Sequence, residues 1–312
     1  MHLRLLIDSP LDSTSEPSAA PSFKCGYIAL VGRPNAGKST LFNTFIGQRL
    51  SIVTPKPQTT RNRILGILTR PHSQFIFLDT PGLLEPSYKL HHTMAHQIAL
   101  SARQADLVVL LIDATSPRDR SELVKTFLQQ AQTPVLAALN KVDLLPNKRL
   151  QPLRESLERE YNLAALRPIS ALEGEGTEDL LQAMESLLPV GDQLYPDDMI
   201  AEQPERFFAA EFIREAAFEQ LEQELPYAIN VSIEEFAERQ DKTYIQAWIF
   251  VEQNSQKGIV IGSKGKRLRA IGQRARLQLE EFLGASVYLD LWVKVRPDWR
   301  NRDRSLKEFG YQ

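Results

Sequence analysis

Residues 31–40, VGRPNAGKST, have the composition of a loop that binds phosphate. Gly32 and Gly37 enclose four residues, and Lys38 and Ser39 follow directly. Glycines here let backbone amides face an anion, the lysine reaches the outer phosphates, and the serine hydroxyl can bind magnesium. The run TLFNTFI predicts a helix whose N-terminus attracts an anion. The predicted phosphate-binding residues are Gly32, Arg33, Pro34, Asn35, Ala36, Gly37, Lys38, Ser39 and Thr40.

The tetrapeptide NKVD, which ends at Asp143, predicts a preference for guanine over adenine. It follows the apolar run PVLAAL, and open α/β sheets bind ligands at the carboxyl ends of their strands. The Asp143 carboxylate can accept hydrogen bonds from N1–H and the exocyclic amine of guanine. Adenine lacks this pair of donors, which costs roughly 1–3 kcal/mol for the unsatisfied carboxylate. With the tripeptide ISA backing the ring, the predicted guanine-binding residues are Asn140, Lys141, Asp143, Ser170 and Ala171.

Two further motifs can face the phosphates. DTPG ends the apolar run FIFL, so Asp79 can hold magnesium through water and Gly82 can offer its amide to the terminal phosphate. QTTR lies in a polar, proline-rich loop, from which the hydroxyl of Thr59 or Thr60 can reach the metal. We favour Thr60 because it directly precedes Arg61, although the sequence leaves both open. The predicted switch residues are Thr59, Thr60, Asp79, Thr80, Pro81 and Gly82.

A second glycine loop, GSKG at 262–265, predicts an RNA site. Its glycines let the backbone approach a nucleic-acid phosphate, and a long basic, amphipathic helix follows. This arrangement is typical of the KH clamp, which holds about four nucleotides of single-stranded RNA. The predicted RNA-binding residues are Gly262, Ser263, Lys264, Gly265, Lys266, Arg267 and Arg269, and Lys294, Arg296 and Arg300 can extend the basic surface.

The charge distribution agrees with an RNA site near the C-terminus. Residues 196–254 hold 14 acidic and 4 basic side chains, a net charge of −10, whereas residues 255–312 hold 13 basic and 6 acidic ones, a net charge of +7. A polyanion would therefore meet one side of this region.

The motifs must be positioned by two kinds of sheet. YIALV, RILGIL, FIFL, DLVVLLID and PVLAALN are strand candidates, and their nearly continuous apolar character predicts an α/β doubly wound, mostly parallel sheet with one antiparallel hairpin. After a break at LLPVGDQLYPDD the order becomes helix, strand, strand, helix, GSKG, helix, strand, with the chain closing on SVYLDLWVKVR. This order predicts an α+β domain with a small three-stranded sheet, and it resembles the topology of type II KH domains.

The predicted divisions are a disordered tail at 1–22, a nucleotide domain at 23–190 and a KH domain at 195–312. The tail has only a short apolar run and several acidic residues, which disfavours a signal or transit peptide. No apolar run is long enough to span a bilayer. The single cysteine, Cys25, cannot form an internal disulfide, which fits a cytoplasmic protein.

GRPNAGKST, QTTR, DTPG, NKVD and ISA together resemble the motifs of the bacterial Era-like GTPases, within the translation-factor-related class. SQKGIVIGSKGKRLRAIG and LWVKVRPDWR resemble their C-terminal domain. The resemblance implies GTP hydrolysis with magnesium, held by Ser39 and Thr60 and, through water, by Asp79. It also implies GTP and GDP as ligands, binding near the 3′ end of small-subunit ribosomal RNA, help in maturing that subunit, a monomeric state, and peripheral contact with the inner membrane in some members.

The sequence departs from Ras-like proteins at Leu83, where those proteins have the glutamine that orients the attacking water. The resemblance implies slowed or rearranged hydrolysis rather than its loss. Asn35 stands where related GTPases help to bind potassium, and an asparagine chosen for turn geometry is the alternative. Two other functions stay open: an RNA-binding module with an inert nucleotide domain, and an ATP-dependent phosphotransferase, which Asp143 disfavours.

Overall fold

The structure is a computed structural model, and it describes residues 22–239 and 241–311. Apart from Ser22, the tail predicted at 1–22 lies outside this range. Among the described residues, no helix combines the length and apolarity that crossing a membrane requires.

The first domain alternates strands with helices, as the sequence predicts. Its strands are β1 (Lys24–Gly32), β2 (Ile64–Arg70), β3 (Ser73–Asp79), β4 (Leu107–Asp113), β5 (Val135–Asn140) and β6 (Ala165–Pro168). Its helices are α1 (Lys38–Ile46), α2 (Lys89–Gln104), α3 (Glu122–Gln130), α4 (Asn147–Glu160) and α5 (Thr177–Leu187).

These strands form a six-stranded sheet in the order β2-β3-β1-β4-β5-β6. β2 is antiparallel to β3, and the other pairs are parallel. Every residue of β3, β4 and β5 is buried, because helices cover both faces of the sheet. The predicted mostly parallel sheet with one antiparallel hairpin is confirmed.

The segment that follows α5 runs along the first domain as a strap, residues 189–201. The carbonyl of Pro189 accepts from the Cys25 amide at 3.2 Å, and the carbonyl of Ile200 accepts from the Ile67 amide at 2.9 Å. The Gln74 side chain accepts from the backbone between these ends. The predicted domain limits in this region remain a prediction.

The second domain contains α6 (Glu205–Gln220), α7 (Leu225–Ala228), β7 (Asn230–Arg239), β8 (Lys242–Val251), α8 (Asn254–Ile261), α9 (Lys266–Leu283), β9 (Val287–Val295) and α10 (Asp303–Glu308). Its three strands have the order β7-β8-β9, with β7 antiparallel and β9 parallel to β8. The GSKG loop separates α8 from α9. The predicted α+β domain with a three-stranded sheet is confirmed.

The chain does not close on β9, which corrects the sequence-based expectation. α10 follows, and residues beyond β9 pack against the first domain: Trp299, Leu306 and Tyr311 form one buried cluster with Leu90 and Met94 of α2. A six-residue helix has too few turns for its periodicity to be recognised, and tertiary packing stabilises it instead.

Candidate nucleotide pocket and RNA loop

A cavity of about 540 Å³ lies at the carboxyl edge of the first sheet. It is lined by residues from all five predicted motifs. They include Gly37, Lys38, Ser39, Thr60, Gly82, Asn140, Asp143, Ser170 and Ala171. The structure therefore brings together residues that are more than a hundred positions apart in the sequence, because the strand ends of a parallel sheet share one edge.

Glycine is required at one position in each of two loops beside this cavity. Gly37 has φ +103°, and a Cβ there would stand 2.1 Å from the Asn140 amide nitrogen. A Cβ at Gly82 would stand 2.7 Å from the Pro34 nitrogen. The Asn140 side chain and the Pro34 backbone therefore leave no room for a side chain at these two positions.

Lys38 is buried at the start of α1. Its ammonium donates to the carbonyl oxygens of Gly32 and Arg33, each at 3.1 Å. Burial lowers the pKa of Lys38 from 10.5 to about 8, against the charges of Asp79 and Asp119, which raise it. A buried cation without an adjacent carboxylate hydrogen bond is an unsatisfied site for an anion.

Four oxygen-bearing side chains converge beside Lys38. Ser39 Oγ lies 3.0 Å from Thr60 Oγ1 and donates to Asp79 Oδ2 at 2.9 Å. Ser51 Oγ also donates to Asp79 Oδ2, at 2.6 Å. Burial raises the pKa of the Asp79 carboxyl, although these hydroxyls and Lys38 act to lower it. Asp79 Oδ1 is buried without a hydrogen-bond partner in the described chain.

This oxygen cluster fits magnesium, which prefers hard oxygen ligands and keeps several waters. Both threonine candidates line the cavity, with different contacts. Thr60 joins Ser39 and Asp79, whereas the carbonyl of Thr59 accepts from Arg214 Nη2 at 2.6 Å, a contact to the second domain.

Asn140 connects three loops at the base end of the cavity. Its Nδ2 donates to the Ala36 carbonyl at 2.8 Å, and its Oδ1 accepts from the Ala171 amide at 2.9 Å. Lys141 donates to Asp113 at 2.6 Å. The Asp143 side chain is exposed at the cavity, beside the exposed Leu144. Asn140 thus joins the loops that form the pocket, and Asp143 presents an exposed side chain to it.

Asn35 and Leu83, the two residues discussed for their possible effect on hydrolysis, lie in different surroundings. Asn35 has φ +65°, and its Nδ2 donates to the Pro55 carbonyl at 2.9 Å. Leu83 is only 6% exposed and packs into the apolar core, while its amide donates to the Gly32 carbonyl at 2.9 Å. The Leu83 side chain therefore takes no part in the cavity.

Sequence reasoning missed three polar residues of this site. Asn43 Oδ1 accepts from the amides of Leu50 and Ser51, which holds Ser51 against Asp79. Asp119 is buried near Lys38, and burial raises its pKa. None of these belongs to a short motif. Ser51 and Asp119 are distinguished only by their burial in the fold, and Asn43 by the two amides that its side chain accepts from.

The loop between α1 and β2, residues 47–63, contacts the second domain. Arg61 is 3% exposed and donates to the carbonyl oxygens of Pro226, Tyr227 and Ile229 at 2.7–3.2 Å. Lys56 donates to the carbonyls at the end of α6. The loop at residues 47–63 therefore contacts both the cavity and the second domain. We call it the switch loop.

Two adjacent residues of α6 complete this contact. Glu215, buried in the second domain, accepts from Arg49 at 2.5 Å and from the Val53 amide at 3.2 Å. Arg214 is paired with Glu211 as it holds the Thr59 carbonyl. Burial raises the pKa of Glu215, while Arg49 acts to lower it.

The GSKG loop forms a tight, exposed turn between α8 and α9. Gly262 and Gly265 have φ +71° and +73°, and Lys264 is also left-handed at φ +51°. Arg267 donates to the Ile259 carbonyl at 2.7 Å, which closes the end of α8. The side chains of Ser263, Lys264, Lys266 and Arg269 are exposed.

Two of the three basic residues that could extend the RNA-binding surface are paired with carboxylates. Arg296 pairs with Glu308, and Arg300 pairs with Glu252 at 2.6 Å. Lys294 lies over the ring of Trp248. Glu252 lies 48 positions from Arg300 in the sequence. The spacing of the basic residues therefore could not show that Arg300 has a carboxylate partner.

Family models match both domains. The model for 50S ribosome-binding GTPases matches residues 27–141, and the model for the KH domain matches residues 224–300. The first match includes the phosphate loop, QTTR and DTPG, and the second includes the GSKG loop.

Two similar proteins share nearly the whole chain. GTPase Era of Carboxydothermus hydrogenoformans is 42% identical over 294 residues, which are 93% of this chain and 98% of that protein. GTPase Era of Ruminiclostridium cellulolyticum is 41% identical over 293 residues, with the same coverage.

Two solved structures are similar over 93% of this chain and 99% of theirs, each with 42% identity and a TM-score of 0.89. One is Era in complex with MgGDPNP and nucleotides 1506–1542 of 16S ribosomal RNA. The other is a variant of Aquifex aeolicus Era bound to GDP·AlF4−. With these relatives, the phosphate and base motifs and the KH loop have one common explanation: the chain belongs to the Era family, and it is a GTPase that binds and hydrolyses GTP and binds RNA.

Proposed function

We propose that this protein is a GTP-controlled RNA-binding switch that binds near the 3′ end of small-subunit ribosomal RNA and assists maturation of the small subunit. The observation that carries the proposal is the switch loop. Thr60 lies beside Ser39 at the cavity, and the next residue, Arg61, is buried in the second domain. A change at the phosphate site would therefore be transmitted directly to the RNA-binding domain.

Magnesium is the proposed cofactor, with Ser39 and Thr60 as ligands and Asp79 acting through water. The ion would neutralise charge on the phosphates of the bound nucleotide. Lys38 would bind the outer phosphates with its buried ammonium, and Gly82 would offer its amide to the terminal phosphate. The unpartnered Asp79 Oδ1 supports this assignment, because a buried carboxylate oxygen otherwise loses its hydration without compensation.

GTP and GDP would hold the switch loop differently. Contacts from the terminal phosphate order such loops, and hydrolysis releases them. In this chain the ordered loop also supplies Lys56 and Arg61 to the second domain. Release of Thr60 would thus weaken the contact between the domains and change how the GSKG loop meets RNA.

The GSKG loop is the proposed RNA clamp. Its exposed Ser263 and Lys264 would meet phosphate, because both flanking glycines keep the turn tight. Changing Ser263 and Lys264 together to Asp places two carboxylates against the RNA backbone and removes one ammonium. The affinity for single-stranded RNA should fall about tenfold or more, while GTP hydrolysis without RNA stays nearly constant. Fluorescence anisotropy and phosphate release measure the two; undiminished RNA binding would exclude the loop as the clamp.

Potassium is a second proposed ion, near Asn35. Leu83 is buried and cannot orient water, so another group must assist the attack, and a cation beside the phosphates could do so. Hydrolysis should be faster in potassium than in sodium at equal ionic strength, and Asn35→Ala should remove the difference. Equal rates for the parent protein in both salts would exclude the ion.

We further propose a cytoplasmic monomer with peripheral contact at the inner membrane, on the strength of the family likeness alone.

The RNA assignment is tested by crosslinking the protein to RNA in its own cells and sequencing the bound fragments. Fragments should be concentrated at the 3′ end of small-subunit ribosomal RNA, and the Ser263→Asp/Lys264→Asp variant should lose them. Fragments spread evenly over cellular RNAs would contradict the proposal.

A further inference from the structure

The outer face of the second-domain sheet carries four aromatic side chains on two adjacent parallel strands. β8 and β9 pair so that Tyr244 lies opposite Tyr288, and Trp248 lies opposite Trp292. Tyr288 and Trp292 are 56% and 57% exposed. We call these four residues the aromatic strip. Clustered aromatic exposure of this kind marks an interaction surface, whereas single exposed apolar residues need no explanation.

Packing of the second domain does not account for the aromatic strip. Along β9, Val287 and Val293 point into the core, and the alternate residues point away from it. The residues after β9 cover only one end of the outer face, where Phe309 packs on Phe250 with ring centroids 4.9 Å apart. Tyr288 and Trp292 remain more than half exposed, whereas Tyr244 and Trp248 are half-buried, with Tyr244 stacked on Tyr288 at a centroid distance of 5.7 Å.

Two cations lie on the rings of the strip. The Arg239 guanidinium carbon stands 3.9 Å from the centre of the Tyr244 ring, and the Lys294 ammonium lies over the Trp248 ring. Cations held on aromatic faces are typical of sites that stack bases and contact the sugar–phosphate backbone together. Lysine is also depleted in the centre of protein–protein interfaces, which disfavours a protein as the occupant.

Two acidic side chains beside the strip have partners in the structure. Glu235 pairs with Arg239, and Asp290 accepts from the indole nitrogen of Trp292 at 2.8 Å and from Gln246 at 3.2 Å. Asp290 therefore fixes the orientation of the Trp292 ring. Lys294 has no carboxylate partner within 4.0 Å among the described residues and is available to a phosphate.

We propose that the aromatic strip is a second RNA-binding surface, on which bases of single-stranded RNA stack on Tyr288 and Trp292 while Lys294 contacts a phosphate. Tyr288 and Trp292 are four residues apart on one face of β9, about 13 Å, so they would take separate bases. The GSKG clamp holds only about four nucleotides, which leaves the rest of a longer RNA free to reach another surface. The proposal does not depend on the clamp assignment.

The test uses the full chain and a labelled, unstructured oligouridylate of about 20 nucleotides, longer than a single clamp site. Tyr288→Ala/Trp292→Ala should bind it about tenfold more weakly. Tyr288→Phe/Trp292→Phe keeps the ring faces and should bind like the parent. Leu277→Ala, which removes a side chain 52% exposed on α9, is the matched control and should have no effect. Lys294→Ala should lower the slope of log affinity against log salt by about one.

Two comparisons keep this test separate from that of the clamp. Ser263→Asp/Lys264→Asp alone reports the clamp, and the strip substitutions should weaken RNA binding further in that background. In a Trp248→Phe protein, only Trp292 and the buried Trp299 emit, so RNA should quench the emission of Trp292. Unchanged affinity of a folded strip variant, or no quenching at saturating RNA, would overturn the proposal and leave the face to a protein partner.

Discussion

The two glycine loops of this protein look similar in sequence but differ in how completely the fold builds them. In the phosphate loop, Lys38 is buried and held by two carbonyls, and Gly37 lies against Asn140. In the GSKG loop, Lys264 is exposed, and a Cβ at Gly265 would meet no atom within 4 Å. The first loop is assembled before its ligand arrives, whereas the second leaves its charges in water.

This difference follows from what each ligand requires. A nucleotide enters a cavity, so its phosphates must find cations and amides that are already dehydrated and oriented. RNA lies across a surface, where exposed cations gain affinity chiefly by releasing counterions. The phosphate loop should therefore tolerate almost no change. The RNA loop should tolerate changes at its open positions that keep its charge, whereas a Cβ at Gly262 would stand 2.8 Å from Arg267 Cβ.

Substituting one glycine of each loop by alanine tests this difference most directly. Gly37→Ala would force a Cβ to within 2.1 Å of Asn140 Nδ2 at φ +103°. Strain and the lost Asn140 hydrogen bond should weaken GTP binding by about 3 kcal/mol or more. Gly265→Ala meets open space and carries only left-handed strain, so RNA affinity should change by about 1 kcal/mol or less. Titration calorimetry and anisotropy measure the two, and equal losses would contradict the comparison.

The same contrast explains what the sequence could predict. The buried strands were recognised from their apolar runs. The phosphate loop, DTPG, NKVD and the GSKG loop were recognised because glycine, lysine or aspartate is needed at fixed positions in them. Ser51 and Asp119 were missed, because nothing local requires their types, and only the fold brings them to Asp79 and Lys38. The burial of Arg61 in the second domain was also missed, since pairing between domains leaves no periodic signal.

The base end of the pocket offers the second largest effect. Asp143→Asn exchanges an acceptor for a mixed donor and acceptor, so GTP binding should weaken by roughly 2–3 kcal/mol. Xanthosine triphosphate has a carbonyl in place of the amine and should bind the variant better than GTP does. Asn140 bonds to Ala36 and Ala171, so the framework of the pocket is unaffected by this change. Competition binding decides, and a variant that keeps its preference for GTP would show that Asp143 does not read the base.

The switch loop tests how the two regions are joined. Arg61→Ala removes a buried cation that serves three carbonyl oxygens and leaves them without that donor. The free energy of unfolding should fall by about 2–3 kcal/mol. Arg63→Ala is the matched control, because the Arg63 side chain donates to Gln104 at 2.9 Å in an exposed contact. That variant should lose less than about 0.5 kcal/mol. Urea unfolding measures both, and similar losses would mean that the contact between domains does not contribute to stability.

The smallest expected effect is the uptake of one proton by Lys38 when GTP binds. Burial holds the pKa of Lys38 at about 8 in the free protein, below its usual 10.5. The unfolded chain therefore binds more protons between these values, so this residue makes the free protein more stable as the pH rises through that window. The phosphates of GTP would return the pKa towards or above its usual value, because opposite charge favours the protonated ammonium.

GTP binding should consequently take up a proton at alkaline pH. At about pH 9 the free lysine is mostly neutral and the bound one charged, so uptake should approach about one proton per nucleotide. At about pH 6.5 Lys38 is charged in both states and contributes none. Calorimetry in two buffers of different ionisation enthalpy measures the uptake directly, and Lys38→Arg, whose guanidinium stays charged, should abolish its pH dependence. A parent protein that takes up no proton at the higher pH would show that the phosphate loop keeps its lysine charged before GTP arrives, and that its burial is less complete than the structure indicates.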